Sequence, residues 1–250
     1  MQIDKPTYQT DLGAKAHLDF LNSGDGQTLK QIAGDAILKR LQGKAELSVL
    51  DAGCGQGWLS KLLTDLGHKV MACDISPQLI ARAQTDFPNL SFQIADLTKT
   101  LPYQDGWFDC AILCLSALDL RDQRAAFLEI NRVLKPKGLL IIFTVNPYYG
   151  FPAGVWKRGL IGKFLMRKPK LKLNNYFDLV RKQDRHFFWN KEKQASYFYT
   201  LPEQINLLIS LKFVISHLDD ITSAQDDTEF SLRHRLYRFP IFLLMEFIKP

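Results

Sequence analysis

Val49-Leu50-Asp51-Ala52-Gly53-Cys54-Gly55-Gln56-Gly57-Trp58 is the stretch on which the fold turns. Leu47–Asp51 reads as a short buried strand, and Gly53, Gly55 and Gly57 punctuate a turn after it. Trp58, Leu59, Leu62, Leu63 and Leu66 then fall on one stripe of a helix that Gly67 ends. Glycines behind a first strand let backbone approach a ligand closely, and the following helix N-terminus offers unpaired N–H groups. The spacing here is Gly-x-Gly-x-Gly, whereas the dinucleotide fingerprint is Gly-x-Gly-x-x-Gly. Asp51 stands at the strand tip, just before the first glycine. A carboxylate there would repel a pyrophosphate and suit a cationic amino group, directly or through water, so a nicotinamide dinucleotide is a poor fit.

Working outward, the chain alternates strand and helix. Val70–Cys73 is a second strand closed by Asp74, and Ser76-Pro77 caps a helix with Leu79, Ile80 and Ala83 on its apolar face. Leu90–Ile94 is a third strand, followed by Asp96. Phe108–Leu115 is a fourth, almost purely apolar, as a strand covered on both faces must be. A helix through Ala125, Phe127, Leu128, Ile130 and Leu134 ends at Lys135-Pro136, Lys137-Gly138 turns, and Leu139–Val145 is a fifth strand. Such units demand a mostly parallel sheet with right-handed crossovers.

Upstream, residues 1–43 form a helical lead-in, with Leu29, Ile32, Ala33, Ala36, Ile37 and Leu41 at helical spacing and Gly24-Asp25-Gly26 as a loop before them. The core spans 45–146, and the alternation lapses over an insert at 147–200. Residues 201–250 close the domain with a helix at Pro202–Ser210 and strands at Phe213–Leu218 and Ile241–Ile248. Those two strands have no helix between them in this reading and make an antiparallel hairpin.

Bulk properties agree with a single soluble domain. Of 250 residues, 46% are apolar and 23% charged, with a net charge of +6. No secretory leader opens the chain, and no apolar run reaches the roughly 18–20 residues that span a bilayer. Cys54, Cys73, Cys110 and Cys114 lack zinc-ligand spacing, so no metal is expected and the thiols read as reduced, buried groups of a cytoplasmic protein.

Asp51, Asp74 and Asp96 terminate three successive strands, at the edge where open α/β sheets bind ligands. With these residues in place, the chain resembles the class I S-adenosylmethionine-dependent methyltransferases. Asp51-Ala52-Gly53-Cys54-Gly55-Gln56-Gly57 looks like that family's first motif, Cys73-Asp74-Ile75-Ser76 like its acidic ribose motif, and Ala95-Asp96-Leu97 like its adenine motif. Phe108-Asp109 and Leu134-Lys135-Pro136-Lys137-Gly138-Leu139 also match, so the resemblance covers about residues 45–146. It implies a Rossmann-like α/β three-layer sandwich whose seven-stranded sheet is mostly parallel, the antiparallel last strand inserted between the fifth and sixth. It also implies S-adenosyl-L-methionine as cofactor. Asp51, Gly53 and Gly55 would face its methionine part, Asp74 and Ile75 its ribose and adenine, Asp96 and Leu97 its adenine, with Cys114 and Leu115 lining the pocket and Cys54 among the cofactor-binding residues.

The chain departs from the pattern where a histidine base is often found. Leu118 stands after the fourth strand, and Tyr197-Phe198-Tyr199 stands where a subset has Tyr-His-Arg. Asn146-Pro147-Tyr148-Tyr149 resembles an amide- and adenine-methylation signature but follows the fifth strand rather than the fourth, and is discounted. Methyl transfer from a sulfonium forces no particular catalytic side chain, so His17, His186, Tyr148, Tyr149 and Asp119 are candidates only, with His186 or Tyr149 expected to touch substrate.

The insert is locally basic. From Phe151 to Thr200 there are 12 Lys and Arg against 3 Asp and Glu, a net of +9, which leaves the rest of the chain at −3. A solvated lid is the plainest reading. A membrane-facing surface through Gly159–Lys168, which mixes apolar and basic residues, comes second, and RNA binding last. The expected activity is methyl transfer to a small-molecule acceptor by a monomer or homodimer. The alternatives are a lipid- or quinone-like, RNA or protein substrate, or a catalytically silent cofactor-binding domain.

Overall fold

The computed structural model describes residues 10–149, 154–157, 170–173, 186–188, 195–197, 199–223 and 232–250. Helices α1 (Asp11–Asn22) and α2 (Gly24–Leu41) lead into strand β1 (Ser48–Ala52), helix α3 (Trp58–Asp65), β2 (Lys69–Asp74), α4 (Pro77–Asp86) and β3 (Ser91–Ile94). Then come β4 (Phe108–Cys114), α5 (Gln123–Val133) and β5 (Leu134–Val145). The insert contributes β6 (Gly154–Lys157), β7 (Lys170–Leu173), β8 (His186–Phe188) and β9 (Ala195–Tyr197). Helix α6 (Leu201–Ser210), β10 (Val214–Ile221), α7 (Leu232–Arg238) and β11 (Phe242–Ile248) close the chain.

One seven-stranded sheet runs in the order β10-β11-β5-β4-β1-β2-β3. All its pairings are parallel except those of β11, which lies antiparallel between β5 and β10. The expected α/β Rossmann-like architecture is therefore present, antiparallel last strand included. From β1 the chain winds outward through β2 and β3, then returns to β4 on the other side of β1. That reversal opens a crevice at the carboxyl ends of β1 and β4, where open α/β sheets take ligands.

Helices cover both faces. Leu140 and Ile142 of β5 pack with Phe127 and Ile130 of α5 and Leu208 of α6. Ile141 and Phe143, alternating with them, pack instead with Ala33 and Ile37 of α2 and Leu59 and Leu63 of α3. Period-two alternation with both sets buried is why β4 and β5 read as continuous apolar runs.

Three expectations are corrected. Gly24-Asp25-Gly26 is no loop but the first turn of α2, capped by Ser23, whose Oγ accepts from Gly26 N at 3.2 Å. Gly26 is required by packing: a Cβ there would lie 2.1 Å from the Phe20 carbonyl oxygen at the end of α1. A helix, α7, does separate the last two strands, although they pair antiparallel as expected. It is short and arginine-rich, so it carries little apolar periodicity. Asp25 of α2 holds it, accepting from Leu232 N at 2.9 Å and from the Arg235 guanidinium at 2.5 Å. The turn at Lys137-Gly138 is a bulge inside β5: pairing with β4 shifts register between Phe108 and Cys110, and Lys137 takes φ +64°.

In the insert, β6 pairs with β7 and β8 with β9, each antiparallel. Residues 159–168, read as a membrane-facing stretch, lie outside the described residues except in sequence. Among the described residues no helix is long and apolar enough to cross a membrane.

Candidate active site

The tip of β1 is built from backbone. Gly53 N and Cys54 N both donate to the Cys73 carbonyl, at 2.8 and 3.0 Å, which folds the turn back onto β2. Gly53 has φ +78°, and a Cβ there would meet the Ser116 Cβ at 2.4 Å. Ser116 in turn donates its Oγ to the Ala52 carbonyl at 2.6 Å, locking the β1 and β4 tips together. Gly55 has φ +54°, and its missing Cβ leaves room for His17 Nε2, which would be 3.3 Å away. Side chains other than glycine are strained at both positions.

Two carboxyls sit under this turn. Asp74 closes β2 and is buried; its Oδ2 accepts from Gly55 N at 2.9 Å and its Oδ1 from Ser76 N at 2.8 Å. Burial pushes its pKa up, against those backbone donors. Asp51 is 1% exposed and accepts from Ser60 Oγ at 2.6 Å. Burial pushes it up to about 7, opposed by the Ser60 hydrogen bond and reinforced by the neighbouring Asp74.

A cavity of about 280 Å³ opens above the turn. Its β1–β2 side is formed by Gly53, Gly55, Asp74, Leu79, Cys114 and Leu115. Leu115 has φ +62°, held there by a 2.7 Å hydrogen bond from its N–H to the Phe143 carbonyl. Strained backbone of this kind concentrates at functional sites. The rest of the lining is mostly apolar, with Phe20, Leu21, Leu29, Leu118, Val145 and Phe242. Set among these are Asp119, Thr144, Gln204, Tyr197 and Tyr199.

The candidates fall into two groups. Gly53, Gly55, Asp74, Cys114, Leu115, His17 and Asp119 meet at the cavity. Asp51 and Cys54 are buried at the turn without forming its wall. Ile75, half-buried, is off the wall as well. So is Asp96, whose Oδ1 accepts from Thr98 N at 2.8 Å and Thr98 Oγ1 at 2.7 Å; Leu97 packs in the core. Tyr149 stacks on Phe239 at 6.0 Å, and Tyr148 is exposed. The His186 backbone pairs with Tyr197 across β8 and β9, and its side chain is outside the described set. Asn146 is a joint of the fold, donating to Asp220 Oδ1 at 3.1 Å and accepting from Tyr148 N at 3.0 Å. Burial, followed by the charge of nearby Lys30, pushes the His17 imidazole down to about 4 and keeps it neutral at ordinary pH.

Thr144 and Gln204 are wall residues the sequence reading passed over. The available signal was a polar residue inside the apolar run of the fifth strand, and another four places before Leu208 on the apolar stripe of α6.

Residues 50–142 match a family model described as a methyltransferase domain. An S-adenosylmethionine-dependent methyltransferase from Mesorhizobium loti superposes with TM-score 0.65 at 24% identity, covering 91% of this chain and 99% of that one. The 1,6-didemethyltoxoflavin-N1-methyltransferase of Burkholderia thailandensis, solved with 1,6-didemethyltoxoflavin and S-adenosylhomocysteine, gives TM-score 0.58 at 18% identity, over 100% and 92% of the two chains. The malonyl-[acyl-carrier protein] O-methyltransferase of Buchnera aphidicola is 32% identical over 143 residues, 57% of this chain and 56% of that protein. A demethylmenaquinone methyltransferase of Beutenbergia cavernae is 32% identical over 120 residues, 47% and 50% of the two chains. The chain spans about half the length of the curated relatives it matches. Over residues 50–142 the chain is thus similar to methyltransferase domains, and it shares their fold.

Proposed function

We propose that this chain is an enzyme that moves a methyl group from S-adenosyl-L-methionine to a small, largely apolar acceptor. One observation carries the reading: a single cavity joins the glycine turn and Asp74 to an apolar chamber at the β4–β5 tips. The residues fit the cofactor. Gly53 and Gly55 leave backbone where side chains would fill the cradle, and the Asp74 carboxylate stands where it can accept ribose hydroxyls. Asp51, behind the turn, favours a cationic amino group by its field rather than by contact.

Bound there, the cofactor supplies an electrophilic methyl on a sulfonium. The chain supplies alignment and exclusion of water. The turn fixes one partner, Leu118, Val145 and Phe242 confine the other, and α1 roofs the turn through His17. Alignment of this kind is worth roughly 7–11 kcal/mol in favourable systems. Where the acceptor atom holds a proton, neutral His17 on the wall is a weak base, suited to orienting that atom rather than to taking its proton.

The relatives named for demethylmenaquinone support an acceptor with an apolar body. A membrane-dissolved acceptor is the second reading, favoured by the +9 charge of residues 151–200. Co-sedimentation with anionic vesicles tests it, and steep loss of polynucleotide binding with salt would point to RNA instead. For the main proposal, S-adenosylhomocysteine titration is paired with methyl transfer from labelled cofactor to candidate acceptors. Binding with transfer is expected. Binding without transfer to any acceptor would leave a silent cofactor-binding domain.

A further inference from the structure

Two polar side chains on the chamber side are deeply buried and lack a partner among the described residues. Thr144 is 2% exposed and Gln204 8%, and both line the cavity. Neither side chain makes a hydrogen bond among the described residues. The fully sealed orphan atoms among those residues are Tyr103 Oη and Gln123 Oε1, so the polar atoms of Thr144 and Gln204 open on the cavity. The fold brings the two to the same face. Thr144 follows Leu140 and Ile142 on the side of β5 that α6 covers, opposite Leu243 of β11. Gln204 precedes Leu208 of that same cluster by one turn.

Leaving an amide or hydroxyl without a partner in a buried place is destabilising, and native proteins leave few so. An apolar residue at either place would be the stable choice for the protein alone. We infer that Thr144 and Gln204 form the specificity pair of the acceptor subsite, and that the acceptor is an uncharged, ring-sized apolar molecule bearing a hydroxyl or carbonyl oxygen. The Gln204 amide can both donate and accept, and the Thr144 hydroxyl likewise, so together they satisfy one oxygen without an ion pair. Asp74 and Asp119, which line the same cavity, disfavour an anion. The inference rests on the methyltransferase reading for the word acceptor, but not for the recognition itself.

The test uses 1-naphthol, with naphthalene as the oxygen-free control and 1-naphthoate as the anionic one. Each is titrated into the full chain, with and without S-adenosylhomocysteine. Naphthol is expected to bind about tenfold or more tighter than naphthalene. Thr144→Val and Gln204→Leu should each cut naphthol affinity by about five- to tenfold, leave naphthalene and S-adenosylhomocysteine affinity unchanged, and raise the Tm of the ligand-free protein. The inference is overturned if naphthol binds no better than naphthalene, if 1-naphthoate binds tightest, or if the variants lower Tm and weaken all probes alike. Failure of S-adenosylhomocysteine to bind the unaltered chain would remove the methyltransferase reading, while naphthol discrimination in the ligand-free protein would still decide on the pair.

Discussion

On the β1–β2 side of the cavity the wall is mainly backbone and buried carboxyl; on the β5–α6 side it is side chain. The first is fixed by glycines at positive φ, by paired N–H donors on the Cys73 carbonyl, and by Asp74 holding Gly55. The second is an apolar chamber with a few polar groups set into it. A backbone wall tolerates almost no added atom, whereas a side-chain wall can be remodelled by substitution. That difference suits one face that must keep a constant partner and another that selects.

The largest effect is therefore expected at the turn. Gly53→Ala places a Cβ 2.4 Å from that of Ser116 at a positive φ. It should weaken S-adenosylhomocysteine by about 30-fold or more in calorimetry, while Val145→Ala on the other wall changes cofactor affinity less than about twofold. Equal sensitivity of the two positions would break the contrast.

Asp74→Ala removes a carboxylate and two hydrogen bonds at once. Affinities for S-adenosylhomocysteine and for adenosine should both fall, by about 10- to 100-fold, if Asp74 faces the ribose. A loss confined to S-adenosylhomocysteine would place Asp74 at the methionine end instead.

Asp51 gives a smaller, pH-dependent effect. Its carboxyl is pushed from 3.8 to about 7, so the folded chain holds that proton more tightly than the unfolded chain. The stability this confers is fully present below about pH 4 and is lost as pH rises through about 7. Asp51→Asn should thus raise the ligand-free Tm by a few degrees near about pH 8 and change it little near about pH 4. In the unaltered chain, S-adenosylhomocysteine affinity should improve by about three- to tenfold from about pH 6 to about pH 8, as Asp51 ionises beneath the ammonium. A flat pH profile would remove Asp51 from cofactor binding.

The same contrast explains what could be read from the chain alone. Gly53, Gly55, Asp74 and the apolar strands announce themselves because a tight turn and a doubly covered sheet admit few residue types. The mostly parallel sheet follows from that alternation, the inserted antiparallel last strand is what the family resemblance implies, and the sheet carries both. Thr144 and Gln204 announce little locally: each is a polar residue on an apolar stripe, but threonine suits strands and glutamine suits helices. Only sheet register and the seating of α6 make them neighbours of one chamber. Helix α7 escaped because Leu232 is buried while its Arg235 is spent on Asp25, a contact 210 residues away. The first turn of α2 reads as a loop because Gly26 looks like a loop residue but serves close packing.

A methyl-donor crevice and a hydride-carrier crevice differ in the nucleotide they accept. Calorimetric titration of the purified chain with S-adenosylhomocysteine and, separately, with NAD decides between them. Saturable one-to-one uptake of the former and none of the latter is predicted; uptake of NAD with indifference to S-adenosylhomocysteine would contradict it.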